Sequence, residues 1–82
     1  DKADEVYYTP IVTDTTPAGH GQIDVSAPAD AVVLVDGTER ARGSTNVTIP
    51  SGNHNVRVRK SSSEERGCTI DVHASRIAHV KF

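Results

Sequence analysis

Eighty-two residues, 35% of them hydrophobic and none of them Trp or Met, suit one small domain and leave no room for a second. Nine basic residues against eleven acidic ones give a net charge of −2, which excludes a global field that would draw in nucleic acid or an anionic membrane. A single cysteine excludes an internal disulfide and any multi-cysteine zinc site, and no apolar run approaches the ~20 residues of a spanning helix.

Residues 1–21 mix acids, threonines, Pro10, Pro17, Gly19 and Gly21, and so carry linker composition. Tyrosines and β-branched residues favour extended structure, however. The stretch from Val6 to Thr13 is therefore expected either to stay loose or to dock along a sheet edge, where Pro10 is tolerated. Neither a basic region followed by an apolar stretch nor an initiator methionine opens the sequence, so the chain is expected to be a piece of a longer protein.

Residues 22–82 form the expected β-domain. Gln22 to Ser26 alternates with period two, placing Ile23 and Val25 on one face. Pro28 and Asp30 then make a turn, Ala31 to Val35 is a five-residue apolar run, and Asp36-Gly37 sends the chain back antiparallel. Ala31, Val33 and Val35 are expected inside, with Val32 and Leu34 on the opposite face. Glu39 to Arg42 is a polar return segment, followed by a break at Gly43 and Ser44.

Asn46 to Ile49 alternates with Val47 and Ile49 inward, Pro50 to Asn53 is a turn, and His54 to Lys60 is the longest strand, with Val56 and Val58 inside. Ser61 to Glu65 is turn-like and Gly67 ends it. Cys68, Ile70 and Val72 share the next inner face, and after a turn at His73 to Arg76 so do Ala78, Val80 and Phe82. Short strands spaced by turns at this interval predict an all-β fold without substantial helix. A small antiparallel β-sandwich of about six to seven strands is expected, or a partly open barrel.

No catalytic site, cofactor or metal site is expected. The four histidines lie in the linker, at a strand start, in a turn and on the last strand, without the close spacing that pre-places metal ligands. Cys68 reads as a buried structural thiol, because apolar surroundings disfavour the thiolate. Asn46-Val47-Thr48 fits a glycan acceptor pattern that arises often by chance.

Arg57, Arg59 and Lys60 on one outer face, with Arg66 and Arg76 from flanking turns, form the candidate interaction face. Asp71 and Glu64-Glu65 are expected near enough to give cross-strand charge pairs instead. No aromatic residue interleaves with these bases, so nucleic acid is not an expected partner.

Pro28-Ala29-Asp30-Ala31 stands in register with the four-residue signature that names the PEGA domain. Val33-x-Val35-Asp36-Gly37 follows it, and then Gly43-x-x-x-Val47-x-Ile49-Pro50-x-Gly52-x-His54-x-Val56-x-Val58. The chain from about Gln22 to Phe82 resembles that family, with Ala29 for glutamate, Asp30 for glycine and no threonine-proline pair after Gly43. The resemblance implies a non-enzymatic module of the carboxypeptidase-regulatory and transthyretin-like sandwich class, appended to prokaryotic envelope, surface or signalling proteins. It transfers no binding residue.

The expected role is an accessory domain for protein–protein interaction or spacing, monomeric in isolation and without membrane insertion. Its partner would be a neighbouring domain or another protein, at an extracytoplasmic location with the cytoplasm left open. A carbohydrate- or cell-wall-binding module and a regulatory appendage of an enzyme domain are the alternatives.

Overall fold

The computed structural model describes residues 3–12, 16–60 and 64–82. Among them are eight strands and no helix: β1 (Glu5–Pro10), β2 (His20–Ser26), β3 (Val32–Val35), β4 (Thr38–Arg42), β5 (Thr45–Pro50), β6 (Gly52–Lys60), β7 (Glu64–Val72) and β8 (Arg76–Lys81). Sheet one has the order β1-β8-β2-β5 and sheet two the order β4-β3-β6-β7, so the chain is the all-β sandwich that the periodicity predicts. There are eight strands rather than six or seven because Glu5–Pro10 and the polar return Thr38–Arg42 are both strands. The N-terminal stretch is docked along Glu5–Pro10, while Thr13 lies outside the described residues.

All pairings are antiparallel except one. β8 runs parallel to β2, with Ile23 opposite Ala78 and Val25 opposite Val80, and antiparallel to β1 on its other side. Period two identifies a strand's faces but says nothing about its neighbour's direction, so the alternation at 77–82 is equally compatible with either.

Local turn chemistry sets the registers. The amide of Ala31 donates to the carbonyl of Pro28 at 3.0 Å, closing the turn before β3. Asp30 makes that turn without a positive φ, so it bears none of the left-handed cost that replacing a turn glycine would carry. At the β3–β4 hairpin Asp36 and Gly37 have φ of 53° and 81°, the pair of positive values that a two-residue hairpin turn of matching twist requires. Arg40 is then skipped between the Val33–Ala41 and Leu34–Glu39 pairs, a bulge that makes the charged β4 a poor template for further pairing.

The inner faces supply one continuous core of Ile23, Val25, Ala31, Val33, Val35, Val47, Ile49, Val56, Val58, Ile70, Val72, Ala78 and Val80. Cys68 and Phe82, both expected inward, are only partly buried, because β7 is an edge strand and Phe82 lies beyond the end of β8. Gly21 on β2 is buried against the turn that joins β7 to β8. A Cβ there would lie 2.4 Å from the carbonyl oxygen of His73, 2.7 Å from Val72 Cγ1 and 3.0 Å from the carbonyl oxygen of Arg76. Only glycine admits that contact.

β1 closes one side of the sandwich by bridging the two sheets. The Tyr8 hydroxyl donates to the Asp71 carbonyl of β7 at 2.8 Å, its ring meets His73 edge-on, and Asp4 pairs with Arg66 of β7 at 2.7 Å.

Candidate functional site

The outer face of sheet two is the surface that the sequence singles out. Across it run two rows set by the register, Arg42–Val32–Arg59–Glu65 and Glu39–Leu34–Arg57–Gly67. Val32 and Leu34 are half-buried aliphatics between charged neighbours, and Asp30, Val32, Arg42 and Arg59 line a shallow groove of about 340 Å³.

Glu65 ties the two arginines together. Arg57 Nη2 donates to its Oε2 at 2.9 Å and Arg59 Nε to its Oε1 at 3.4 Å, and the Arg57 guanidinium holds the Glu65 carboxyl below the usual carboxylate range. Gly67 makes this geometry available: a Cβ there would meet Arg57 Cγ at 2.9 Å, so the arginine stem lies flat across a strand that has no side chain at that point.

The five predicted cations do not form one face. Arg57 and Arg59 stand together, but Lys60, one residue further along β6, has the opposite parity at the end of the strand. Arg66 belongs to β7 rather than to a turn. It sits opposite Val58 on the inner-facing parity, where it pairs with Asp4 and lies 5.9 Å from the Phe82 ring centroid. Arg76 opens β8 in the other sheet, opposite Pro10. Of the turn expected at Ser61 to Glu65, Glu64 and Glu65 are in β7, and residues 61–63 lie outside the described residues.

His54 joins two turns. Its Nδ1 lies 2.6 Å from Asp36 Oδ2 and its Nε2 lies 2.7 Å from the Pro50 carbonyl oxygen, while Asp36 Oδ1 accepts from the Asn55 amide at 2.9 Å. Both ring nitrogens face acceptors, and only the imidazolium donates to both. The Asp36 hydrogen bond accordingly raises the His54 pKa, and the His54 hydrogen bond lowers that of Asp36. Burial pushes the Cys68 thiol up, which keeps it a poor nucleophile. Among the described residues no three His, Cys, Asp or Glu side chains gather as a metal-holding group.

A second constellation, on the outer face of sheet one, escaped the sequence. The register aligns Tyr7 of β1, His79 of β8, Asp24 of β2 and Asn46 of β5 in one row. Tyr7 and His79 stack with ring centroids 4.5 Å apart and planes 10° from parallel. His79 Nδ1 lies 3.2 Å from Asp24 Oδ2, and its Nε2 lies 2.6 Å from the Thr9 hydroxyl.

One neutral tautomer satisfies both contacts, with Nδ1–H donating to the carboxylate and the threonine hydroxyl donating to Nε2. That order, carboxylate, imidazole, hydroxyl, has the connectivity of a nucleophile relay. Here it spans three adjacent strands of an open sheet face.

The chain matches no family model, no curated protein and no solved structure. The arginine pair was legible because Arg57 and Arg59 sit two residues apart in a strand. The sheet-one row joins residues far apart in the chain, and its local signal was the Val6-Tyr7-Tyr8 cluster in the N-terminal stretch.

Proposed function

We propose that the chain is a non-enzymatic accessory β-domain that mediates protein–protein contact or sets spacing within a larger bacterial envelope, surface or signalling protein. The observation that carries this reading is the outer face of sheet two. Val32 and Leu34 form an apolar strip there, rimmed by Arg42, Arg57, Arg59, Glu39 and Glu65. An apolar centre inside a charged rim is the anatomy of a non-obligate interface, in which arginine is enriched and lysine depleted.

The resemblance of Pro28 to Gly37 and Gly43 to Val58 to the PEGA family supports the accessory role and an extracytoplasmic setting. Its partner is a neighbouring domain or a separate protein carrying an acidic surface with a small apolar projection.

A photo-crosslinker placed at Leu34 in the parent protein tests the reading. Capture of one partner that is lost on Arg57→Glu with Arg59→Glu is the expected result. Capture that is indifferent to both reversals refutes the binding role and leaves a spacer.

A further inference from the structure

Sheet one presents a different surface on the other side of the sandwich. Tyr7 is 48% exposed although one ring face is covered by His79. The imidazole beneath it is fixed at both nitrogens, by Asp24 and by Thr9, so the stacked pair is held in one orientation. Little side-chain entropy remains to be lost when something is laid against it.

Beside the stack a groove of about 250 Å³ is lined by Glu5, Tyr7, Asp24, Ser26, His79 and Lys81. Asp24 leaves half of its carboxylate side chain exposed to that groove. The lining therefore offers the Tyr7 ring, the His79 imidazole, two carboxylates, a hydroxyl and an ammonium, which together accept and donate hydrogen bonds over a short span.

A nucleobase, a uronate polymer and a neutral sugar each bring a flat face to such a ring. A nucleobase stacks on tyrosine, but Glu5 and Asp24 outnumber Lys81 and would repel the phosphodiester attached to it. A uronate polymer meets the same repulsion. A neutral sugar does not: the C–H face of a pyranose with equatorial hydroxyls is apolar and flat, while its rim of hydroxyls needs the mixed donors and acceptors that the groove supplies. The groove is smaller than the range usual for drug-sized ligands, which suits one sugar ring rather than an enclosed molecule.

We infer that the outer face of sheet one, around Tyr7, Asp24, His79 and Lys81, binds a single pyranose unit of a neutral glycan with equatorial hydroxyls. The site is independent of the sheet-two face, so either surface can fail its test without affecting the other.

The test is a ¹H–¹⁵N NMR titration of the whole chain with cellotetraose, with chitotetraose and with tetragalacturonate. Saturable shifts of the Tyr7, Asp24, Ser26, His79 and Lys81 amides are expected with one or both neutral sugars, at an affinity on the order of 1 mM, and none with the uronate. Tyr7→Ala should weaken binding by about tenfold or more, whereas Tyr7→Phe should stay within about threefold, since stacking is worth on that order.

Loss of Tyr7 also loosens β1, so Ser26→Trp, which fills the groove from β2, provides the second variant and should abolish the shifts. The inference is overturned by no saturable shift with either neutral sugar up to about 20 mM, a limit corresponding to negligible affinity. Shifts confined to sheet two, binding of the uronate alone, or binding unchanged by Ser26→Trp would overturn it equally.

Discussion

Gly21 is the position where the least chemical change should do the most damage. In Gly21→Ala the new Cβ would stand 2.4 Å from one backbone oxygen and 3.0 Å from another, with Val72 Cγ1 at 2.7 Å between them. The oxygens belong to His73 and Arg76, the two ends of the turn that feeds β8, and the Arg76 amide donates to the His73 carbonyl at 3.2 Å. The obstruction is backbone that fixes the parallel β2–β8 pair, so it cannot swing aside as a long side chain would. Overpacking commonly costs 1–3 kcal/mol, and a clash with two carbonyls belongs at about 3 kcal/mol or above.

A chain of this length is expected to have a total stability of about 4–12 kcal/mol, so the variant loses a large share of it. In a urea titration followed by far-ultraviolet circular dichroism, with a slope of about 1 kcal/mol/M, the midpoint should fall by about 3 M. Two further glycines separate steric from conformational cost. Gly37→Ala meets nothing within 4 Å but has φ of 81°, which should cost about 1–2 kcal/mol. Gly67→Ala meets the Arg57 side chain, with Cγ at 2.9 Å, rather than backbone, and should cost less than Gly21→Ala. A loss below about 1 kcal/mol for Gly21→Ala, or one no greater than that of Gly37→Ala, would refute the close approach of β2 to the β7–β8 turn.

The His54–Asp36 clasp makes a signed pH prediction. His54 is raised from 6.5, so its contribution is complete below that value and fades as pH climbs through the folded pKa; Asp36 is lowered from 3.8, so its contribution is complete above that value and fades as pH falls through its folded pKa. The stability difference between the wild type and His54→Gln should therefore be largest near pH 5 and shrink toward pH 9, and an equal difference at both would exclude the imidazolium. Tyr8→Phe removes the hydroxyl bound to the Asp71 carbonyl and should cost about 0.5–1.5 kcal/mol in the same urea assay, with no effect if β1 does not bridge the sheets. Cys68 should react with a disulfide reagent at pH 8 well below the rate of the unfolded chain, and equal rates would show that β7 leaves the thiol open.

The valine pairs at 33 and 35, at 56 and 58, and their isoleucine-containing counterparts are readable in the sequence because one buried face per strand imposes strict alternation. β1 and β4 gave no such signal, for a shared reason. Val6 and Tyr8 overhang the rim of the core and stay exposed, and β4 carries Glu39, Arg40 and Arg42 among its five residues, so neither strand has a buried face to advertise. Gly67 was read as a breaker although it sits inside β7, where its missing side chain makes room for Arg57. The sheet-one row of Tyr7, His79 and Asp24 depends on strand order and on the β2–β8 direction, which local periodicity does not encode.

The slot taken by β8 bears on how the chain acquires its structure during synthesis. All four strands of sheet two have been made once Val72 emerges, so that layer can assemble early. The other layer waits, its β1 ribbon and its β2–β5 pair separated by a gap one strand wide, until the segment ending at Lys81 leaves the ribosomal tunnel and fills it. For that interval the nascent chain carries an open flank of unsatisfied peptide groups beside bare valines, the kind of surface that chaperones screen and that neighbouring nascent chains can invade.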